Sequence, residues 1–412
     1  MRSFNSIIFV IFFLIYGTFC VFQFLSGSVF EGAFASRENS VQMYLYIAVF
    51  IITIIGILPH STKLKGQDSM FYLVIVYMLY YVVVTVFYLL LTHIDDIKYI
   101  GTGVIMSSVS PLVFLFFYHC AKESDISLRK CVIGFSILLF IDTCATLRLY
   151  NFSFEYSNWV VIMQFYTLFF ILPWMLCIRK RFVNIAIFFV FALLTAYSAK
   201  RGAFLTLLGS IMVFYMLKSY IKNKNLASVL LYPVIIIPPV LCLIFCFIDF
   251  SFMMEKMESI SIDRGSGRLD IYQLIFDTYK NSGFMMQFFG NGGYYGAKDI
   301  TMQVEIHGAH NDFLQVLLDI GIPGLIILFS MIYILVKRFF TLVKSSSFIA
   351  PAYGTTLVMI LVLSNVSTVF CGNFTTIPIW AFWGYIIGAM NANNYNNFLM
   401  YPPQDTNFLW KR

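Results

Sequence analysis

Long apolar blocks, separated by short polar segments, dominate this chain of 412 residues. Most blocks are about 17–25 residues long, the length that an α-helix needs to cross the hydrocarbon layer of a bilayer. Apolar residues make up 60% of the chain and charged residues 11%, whereas a soluble domain carries about 25% charged residues. Because a spanning segment must satisfy its own backbone hydrogen bonds, we predict an all-α, polytopic integral membrane protein with about twelve transmembrane helices.

The apolar blocks divide the chain into three regions. The first run, Ile7 to Leu25, is longer than the apolar core of a secretory signal, about 7–15 residues, and we interpret it as the first span. Residues 1–249 contain the first nine predicted helices, residues 250–320 form one large loop with short amphipathic helices, and residues 321–412 contain the last three helices and a short tail. The predicted spans are 6–25, 41–59, 70–91, 99–118, 131–147, 158–177, 182–198, 202–220, 228–249, 321–340, 348–370 and 377–390.

The distribution of Lys and Arg predicts the orientation in the membrane. Most of the 27 Lys and Arg residues lie in alternate segments, beginning with the N-terminal one. Since cytoplasmic loops carry an excess of these residues, both termini are predicted to be cytoplasmic and the 250–320 loop to lie on the outer face. The net charge of +7 follows from this distribution and does not indicate nucleic acid as a partner.

The sequence carries no sign of a cofactor. It contains neither a Walker A motif nor the glycine pattern of a dinucleotide-binding fold. Its eight cysteines are scattered, without a C-x-x-C pair, which argues against a zinc site or a disulfide framework. A reaction on the outer face would therefore use a substrate that is already activated, most simply on a lipid carrier.

The first candidate site motif is Lys200-Arg201-Gly202, between the seventh and eighth predicted spans. Two cations on the outer side depart from the charge rule, and they are costly at this depth unless they meet an anion. The guanidinium fork of arginine suits phosphate oxygens. The alternative is an interfacial anchor, in which long cationic side chains reach toward water.

The second motif, Gly265-Ser266-Gly267, is flanked by Arg264 and Arg268. The apolar stripe from Leu269 to Tyr279 predicts a surface helix on the membrane or on the bundle. A glycine-rich turn that opens a helix presents bare amides to a phosphate. Alternatively, one of the arginines pairs with a neighbouring aspartate.

The third motif is the glycine-rich stretch 290–296, which includes Tyr294 and Tyr295. Four glycines in seven residues suit a loop that approaches a sugar closely. A flexible connector explains the same composition equally well.

The fourth motif is the most specific. His307-Gly308-Ala309-His310-Asn311 is followed by nine residues and then by Gly321, at the start of the tenth predicted span. The intervening residues form an apolar helical stripe. An imidazole with an ordinary pKa near 6.5 can transfer protons at neutral pH. A metal site would need more ligands than Glu305 and Asp312 nearby, and we predict none.

Other titratable residues receive structural interpretations. Asp142 is the clearest acidic residue within a span, and pairing with Arg201 is favoured over contact with a substrate. His60, His93 and His119 lie at loop edges.

Together these features resemble the bacterial O-antigen polymerase and O-antigen ligase superfamily of Wzy and WaaL types. The similarity covers the layout of about twelve spans with a large outer loop late in the chain. It is carried by Lys200-Arg201-Gly202, by Gly265-Ser266-Gly267-Arg268, and by His310-Asn311 with Gly321-x-x-Gly324.

The resemblance implies a GT-C-like fold and a metal-independent membrane glycosyltransferase of the bacterial inner membrane. The implied reaction polymerises oligosaccharide repeats linked to undecaprenyl pyrophosphate into O-antigen or capsular polysaccharide on the outer face. An O-antigen ligase that transfers glycan to lipid A–core is the first alternative, and a lipid-linked sugar flippase is the second. A chain-length regulator is a candidate protein partner.

Roles are assigned on this basis to the motif residues. Arg201 and Arg268 are predicted to stabilise the pyrophosphate leaving group, because fixed cations suit its developing charge. His310 is predicted to take the acceptor proton. The remaining residues are predicted to bind pyrophosphate or glycan: Lys200, Arg264, Gly265, Ser266, Gly267, Tyr294, Tyr295, His307 and Asn311.

Overall fold

The computed structural model describes residues 2–25, 41–60, 66–92, 97–153, 160–198, 201–223, 268–292, 309–367, 369–371 and 374–392. These residues form α-helices and two short 3₁₀ segments, and no β-strand occurs among them. The α-helices are α1 (Arg2–Leu25), α2 (Val41–Ile57), α3 (Ser69–Thr92), α4 (Ile97–Lys122), α5 (Leu128–Ser153), α6 (Val160–Leu176), α7 (Arg181–Ser198), α8 (Arg201–Asn223), α9 (Arg268–Asn281), α10 (Phe284–Phe289), α11 (Asp312–Lys344), α12 (Ala350–Val366) and α13 (Ile377–Met390).

Every predicted span that falls in the described part of the chain coincides with a helix. The predicted ninth span, 228–249, lies outside the described residues. By length and composition, α1, α3, α8 and α11 can each cross a bilayer, while α2, α7, α12 and α13 are shorter apolar helices. This all-helical arrangement is that of a helical membrane protein.

Helix α13 forms the centre of the bundle. Its residues from Ile377 to Ala389 are all buried, as expected of a helix that is apolar on every side. It packs against α4 and α6. Buried indole groups connect it to its neighbours: Trp174 Nε1 donates to the Pro378 carbonyl over 2.8 Å, and Trp383 Nε1 donates to Thr356 Oγ1 over 3.0 Å.

Two helix pairs of the bundle are antiparallel, and the first of them defines its two ends. In the first pair, α3 and α11, Tyr81 lies beside Asp319, whereas Asp68, just before α3, forms an ion pair with Arg338. In the second pair, α8 and α12, Gly209 faces Val358. We call the end of α3 and α11 that carries Tyr81 and residues 309–321 the His310 end, and the opposite one the His60 end.

Helix α11 is bent at Ile320–Gly321, where the backbone leaves helical geometry and Gly321 has φ of 66°. The stripe predicted from Phe313 to Leu318 forms the first part of α11, and the long apolar part follows the bend. Helix α9 coincides with the predicted surface helix, whereas α10 was not predicted.

Candidate active site

His310 lies in a turn that leads directly into α11. Its φ of 49° is in the left-handed region, which few residues other than glycine adopt. Asn311 follows in extended conformation as the N-cap, and its Oδ1 accepts hydrogen bonds from the backbone N–H groups of Phe313 and Leu314 over 3.0 and 3.1 Å. The His310 side chain is half-buried. The turn therefore holds an accessible imidazole at a fixed helix start.

Asp312, the first residue of α11, anchors the connection between α12 and α13. Its carboxylate is fully buried and accepts the backbone N–H groups of Val369 over 2.7 Å, Phe370 over 3.1 Å and Cys371 over 3.0 Å. Trp380 Nε1 binds the same connection by donating to the Val369 carbonyl over 3.1 Å. Since a buried charge must be compensated, these bonds fix residues 369–371 beside the His310 turn.

A second buried carboxylate, that of Asp319, supports the His310 turn through side-chain hydrogen bonds. Asp319 Oδ2 accepts from the Tyr81 hydroxyl over 2.5 Å and from Gln315 Nε2 over 2.8 Å. The same Gln315 side chain accepts the backbone N–H of Ala309 through Oε1 over 3.1 Å. A continuous chain of hydrogen bonds therefore runs from α3 to the residue that precedes His310.

The beginning of the predicted glycine-rich loop is attached to the bend in α11. The Asn291 N–H donates to the Leu318 carbonyl over 2.6 Å. Gly290 has φ of 84°, and a Cβ added there would lie 2.5 Å from backbone atoms of Asp319 and Ile320. Gly321 in turn faces the Phe288 carbonyl with no room for a side chain. The two glycines allow the backbones of the loop and the helix to touch.

Helix α9, which begins at Arg268, docks on the same end of the bundle. Ile271 and Ile275 form a buried cluster with Ala309 and Leu318. The Tyr272 hydroxyl donates to the Asn365 carbonyl over 2.8 Å, which places the N-terminal half of α9 beside the end of α12.

Helix α8, which begins at Arg201, starts at this end as well. Because α8 and α12 run antiparallel, with Gly209 against Val358 and Gly354 against Leu217, the register sets Arg201 opposite the last turn of α12. The helix starts that carry Arg201, Arg268 and His310-Asn311 therefore gather around residues 365–371. The structure describes the backbone of the two arginines but not their side chains.

Several predicted site residues lie outside the described part of the chain, and their roles stay predictions. They are Lys200, Arg264, Gly265, Ser266, Gly267, Tyr294, Tyr295 and His307. For Asn311, the structure adds a capping role to the predicted binding role, since Oδ1 holds the start of α11.

The structure gives Asp142 one neighbour that the sequence did not predict. It is buried in α5 and accepts a hydrogen bond from the Cys20 thiol of α1. The predicted pairing with Arg201 involves a side chain outside the described set.

The sequence interpretation missed the two carboxylates that support the His310 turn. Asp312 was considered only as a metal ligand, and Asp319 was not considered. Their spacing was the available signal: seven residues place both on one face of a helix. Charged residues at the edge of a membrane span are rarely retained without a role.

The segment that matches a known protein family contains the motifs described above. Residues 185–329 match the family model Wzy_C, described as O-Antigen ligase. This segment contains Lys200-Arg201-Gly202, the Gly265–Arg268 turn and His310-Asn311, so the predicted resemblance to the O-antigen ligase and polymerase superfamily is confirmed. The search among curated proteins found no match.

The fold and the family match together define the class. The chain is a multi-pass helical membrane protein whose residues 185–329 are similar to the O-antigen ligase family. That family implies a membrane glycosyltransferase, either a polymerase or a ligase, which acts on a lipid-linked oligosaccharide.

Proposed function

We propose that the chain polymerises oligosaccharide repeats carried on undecaprenyl pyrophosphate, on the outer face of the bacterial inner membrane. It acts as a metal-independent glycosyltransferase of the GT-C type. The observation that carries the proposal is the fixed His310-Asn311 turn, at the same end of the bundle as the helix starts of Arg201 and Arg268.

The proposed reaction is a single glycosyl transfer. A hydroxyl of the acceptor repeat attacks the anomeric carbon of the donor glycan, a glycosidic C–O bond forms, and the bond to the pyrophosphate oxygen breaks. Undecaprenyl pyrophosphate leaves with the bonding electron pair. The proton of the acceptor hydroxyl passes to His310.

Arg201 and Arg268 stabilise the leaving pyrophosphate in this proposal. Pyrophosphate is already a good leaving group, so its departure mainly requires cations that are in place before the reaction. Each arginine is the first residue of its helix, where the backbone N–H groups of the first turn also favour an anion.

The ligase is the second candidate, because the matching family model is described as O-Antigen ligase. A ligase would use the same donor and transfer the finished glycan to lipid A–core. The flippase alternative receives no support from the family match.

Deletion of the gene in its host separates the two enzymes. Loss of a polymerase should leave single repeats attached to the acceptor, because ligation continues. Loss of a ligase should instead let long glycan accumulate on the undecaprenyl carrier.

Purified protein in liposomes tests whether the chain is an enzyme or a flippase. Lipid-linked repeats should be joined by new glycosidic bonds, and translocation without such bonds would contradict the proposal.

A further inference from the structure

Helix α10 exposes a contiguous apolar surface. The exposed fractions are 72% for Phe284, 59% for Met285, 41% for Met286 and 39% for Phe289. The surrounding sequence from 281 to 297 contains no charged residue. Contiguous apolar surface of this kind rarely faces water in a folded protein.

The one polar residue of α10 points toward the protein. Gln287 Nε2 donates to the carbonyls of Tyr279 and Ser282 over 3.0 Å each and to that of Lys280 over 3.3 Å, at the end of α9. The Tyr279 hydroxyl donates to the Gln287 carbonyl over 3.0 Å. These bonds fix the orientation of α10, with its polar side chain inward and its apolar side chains outward. This is the reverse of the arrangement expected beside water.

The position of α10 is set by the bend in α11 and by the last turn of the apolar block of α3. Its C-terminal residues pack on the bend at Gly321, just before the long apolar part of α11. Gly292 packs against Tyr88, which lies in the last turn of the apolar block 70–91 of α3. Helix α10 therefore lies at the depth where a bilayer changes from hydrocarbon to headgroups, the level at which aromatic residues concentrate in membrane proteins.

From these three observations we propose that α10 inserts its Phe284, Met285 and Phe289 side chains into the bilayer leaflet at the His310 end. The occupant of this surface is bilayer lipid. The Gln287 bonds transmit the anchoring to α9, and the Gly290 contact transmits it to the bend that supports His310. On the proposed function, this places the reaction beside the leaflet that holds the lipid carrier.

A fluorescent label on single cysteines tests the inference without measuring activity. In a chain with Cys144→Ser, which removes an exposed thiol, an NBD group is attached at Met285→Cys or, as the matched control, at Lys280→Cys, an exposed position near the end of α9. The proteins are placed in phosphatidylcholine–phosphatidylglycerol vesicles with either a headgroup-proximal doxyl lipid or aqueous iodide. Labelling of the Cys144→Ser parent is subtracted.

The label at position 285 should show blue-shifted emission, strong quenching by the doxyl lipid and little quenching by iodide. The label at position 280 should show the reverse. Equal quenching of both labels by iodide would overturn the proposal, because α10 would then face water. Protection of position 285 from both quenchers would also overturn it, since protein, such as a second copy, would cover the surface. Either failure would leave the proposed function standing.

Discussion

The two ends of the bundle both carry buried polar groups, but they use histidine differently. At the His60 end, the imidazole of His60 is 1% exposed and contacts Asn5 Nδ2 over 3.2 Å and Glu123 Oε1 over 3.1 Å. Its ring stacks on His119 with the centroids 4.8 Å apart. At the His310 end, Asp312 and Gln315 bind backbone groups around the histidine, whose ring stays half-buried.

This difference separates a structural histidine from a candidate for chemistry. A buried imidazole that contacts Asn5 of α1 and His119 and Glu123 at the end of α4 joins helices and is not accessible to a substrate. An imidazole on a rigid main chain at the surface of the bundle can do so. The same residue type is therefore expected to affect stability at one end and catalysis at the other.

Alanine substitution at both histidines gives the largest test of this comparison. His310→Ala should lower the polymerisation rate by about 10²–10⁴-fold, the usual contribution of a general base, at normal protein abundance. The measurement is glycan chain length in a deletion strain that expresses each variant, with the protein quantified in the membrane fraction.

His60→Ala is the matched control at the opposite end. It should leave activity per molecule near normal while lowering the free energy of unfolding by about 1–3 kcal/mol, because Asn5 and Glu123 lose a buried partner. Thermal unfolding in detergent reports this loss. Near-normal chain lengths with His310→Ala, or loss of activity per molecule with His60→Ala, would break the comparison.

The arginine substitutions should have the next largest effect. Arg201→Ala and Arg268→Ala should each reduce the rate by about 10²–10³-fold, as removal of a preorganised contact with developing charge typically does. Lys280→Ala, which removes an exposed cation from the other end of α9, should have no effect.

Arg268→Lys distinguishes the mode of phosphate binding, because full activity of this variant would argue against a forked contact with phosphate oxygens.

The sequence predicted the helices well because the bilayer sets their length. Each apolar block from 6–25 to 377–390 that lies in the described part of the chain corresponds to a helix. Helix α10 escaped prediction because six residues are too few to show a helical period. Gly321 was predicted as the start of a span, whereas helix continues on both sides of the bend there.

The supports of the candidate site were harder to predict, since their partners are distant in sequence. Asp312 binds groups 57 to 59 residues away, and Asp319 binds Tyr81 across 238 residues. Local patterns indicated that residues 307–311 form a motif and that arginines precede two helices. They could not indicate which backbone groups a buried aspartate would hold.

Asp312→Asn should weaken the His310 end through its main-chain contacts. The new amide would turn a donor toward the N–H groups of residues 369–371, which leaves buried groups unsatisfied at a cost of about 1–3 kcal/mol in unfolding free energy. Polymerisation should fall with it, because the connection beside His310 shifts. Asp277→Asn, an exposed site on α9, is the control and should change neither the unfolding temperature nor the chain length.

Tyr81→Phe is the smallest and most specific change. It removes only the hydroxyl that donates to Asp319, while Gln315 keeps its bond to the same carboxylate. We expect a loss of about 1 kcal/mol in unfolding free energy, the usual value of one hydrogen bond, and a modest fall in activity. The neighbouring Tyr80 supplies a matched control, because its hydroxyl has no hydrogen-bond partner among the described residues. If Tyr80→Phe and Tyr81→Phe had equal effects, the hydrogen-bond chain from α3 to Ala309 would not support the His310 turn, and that support would have to come from Asp312 and the Asn311 cap.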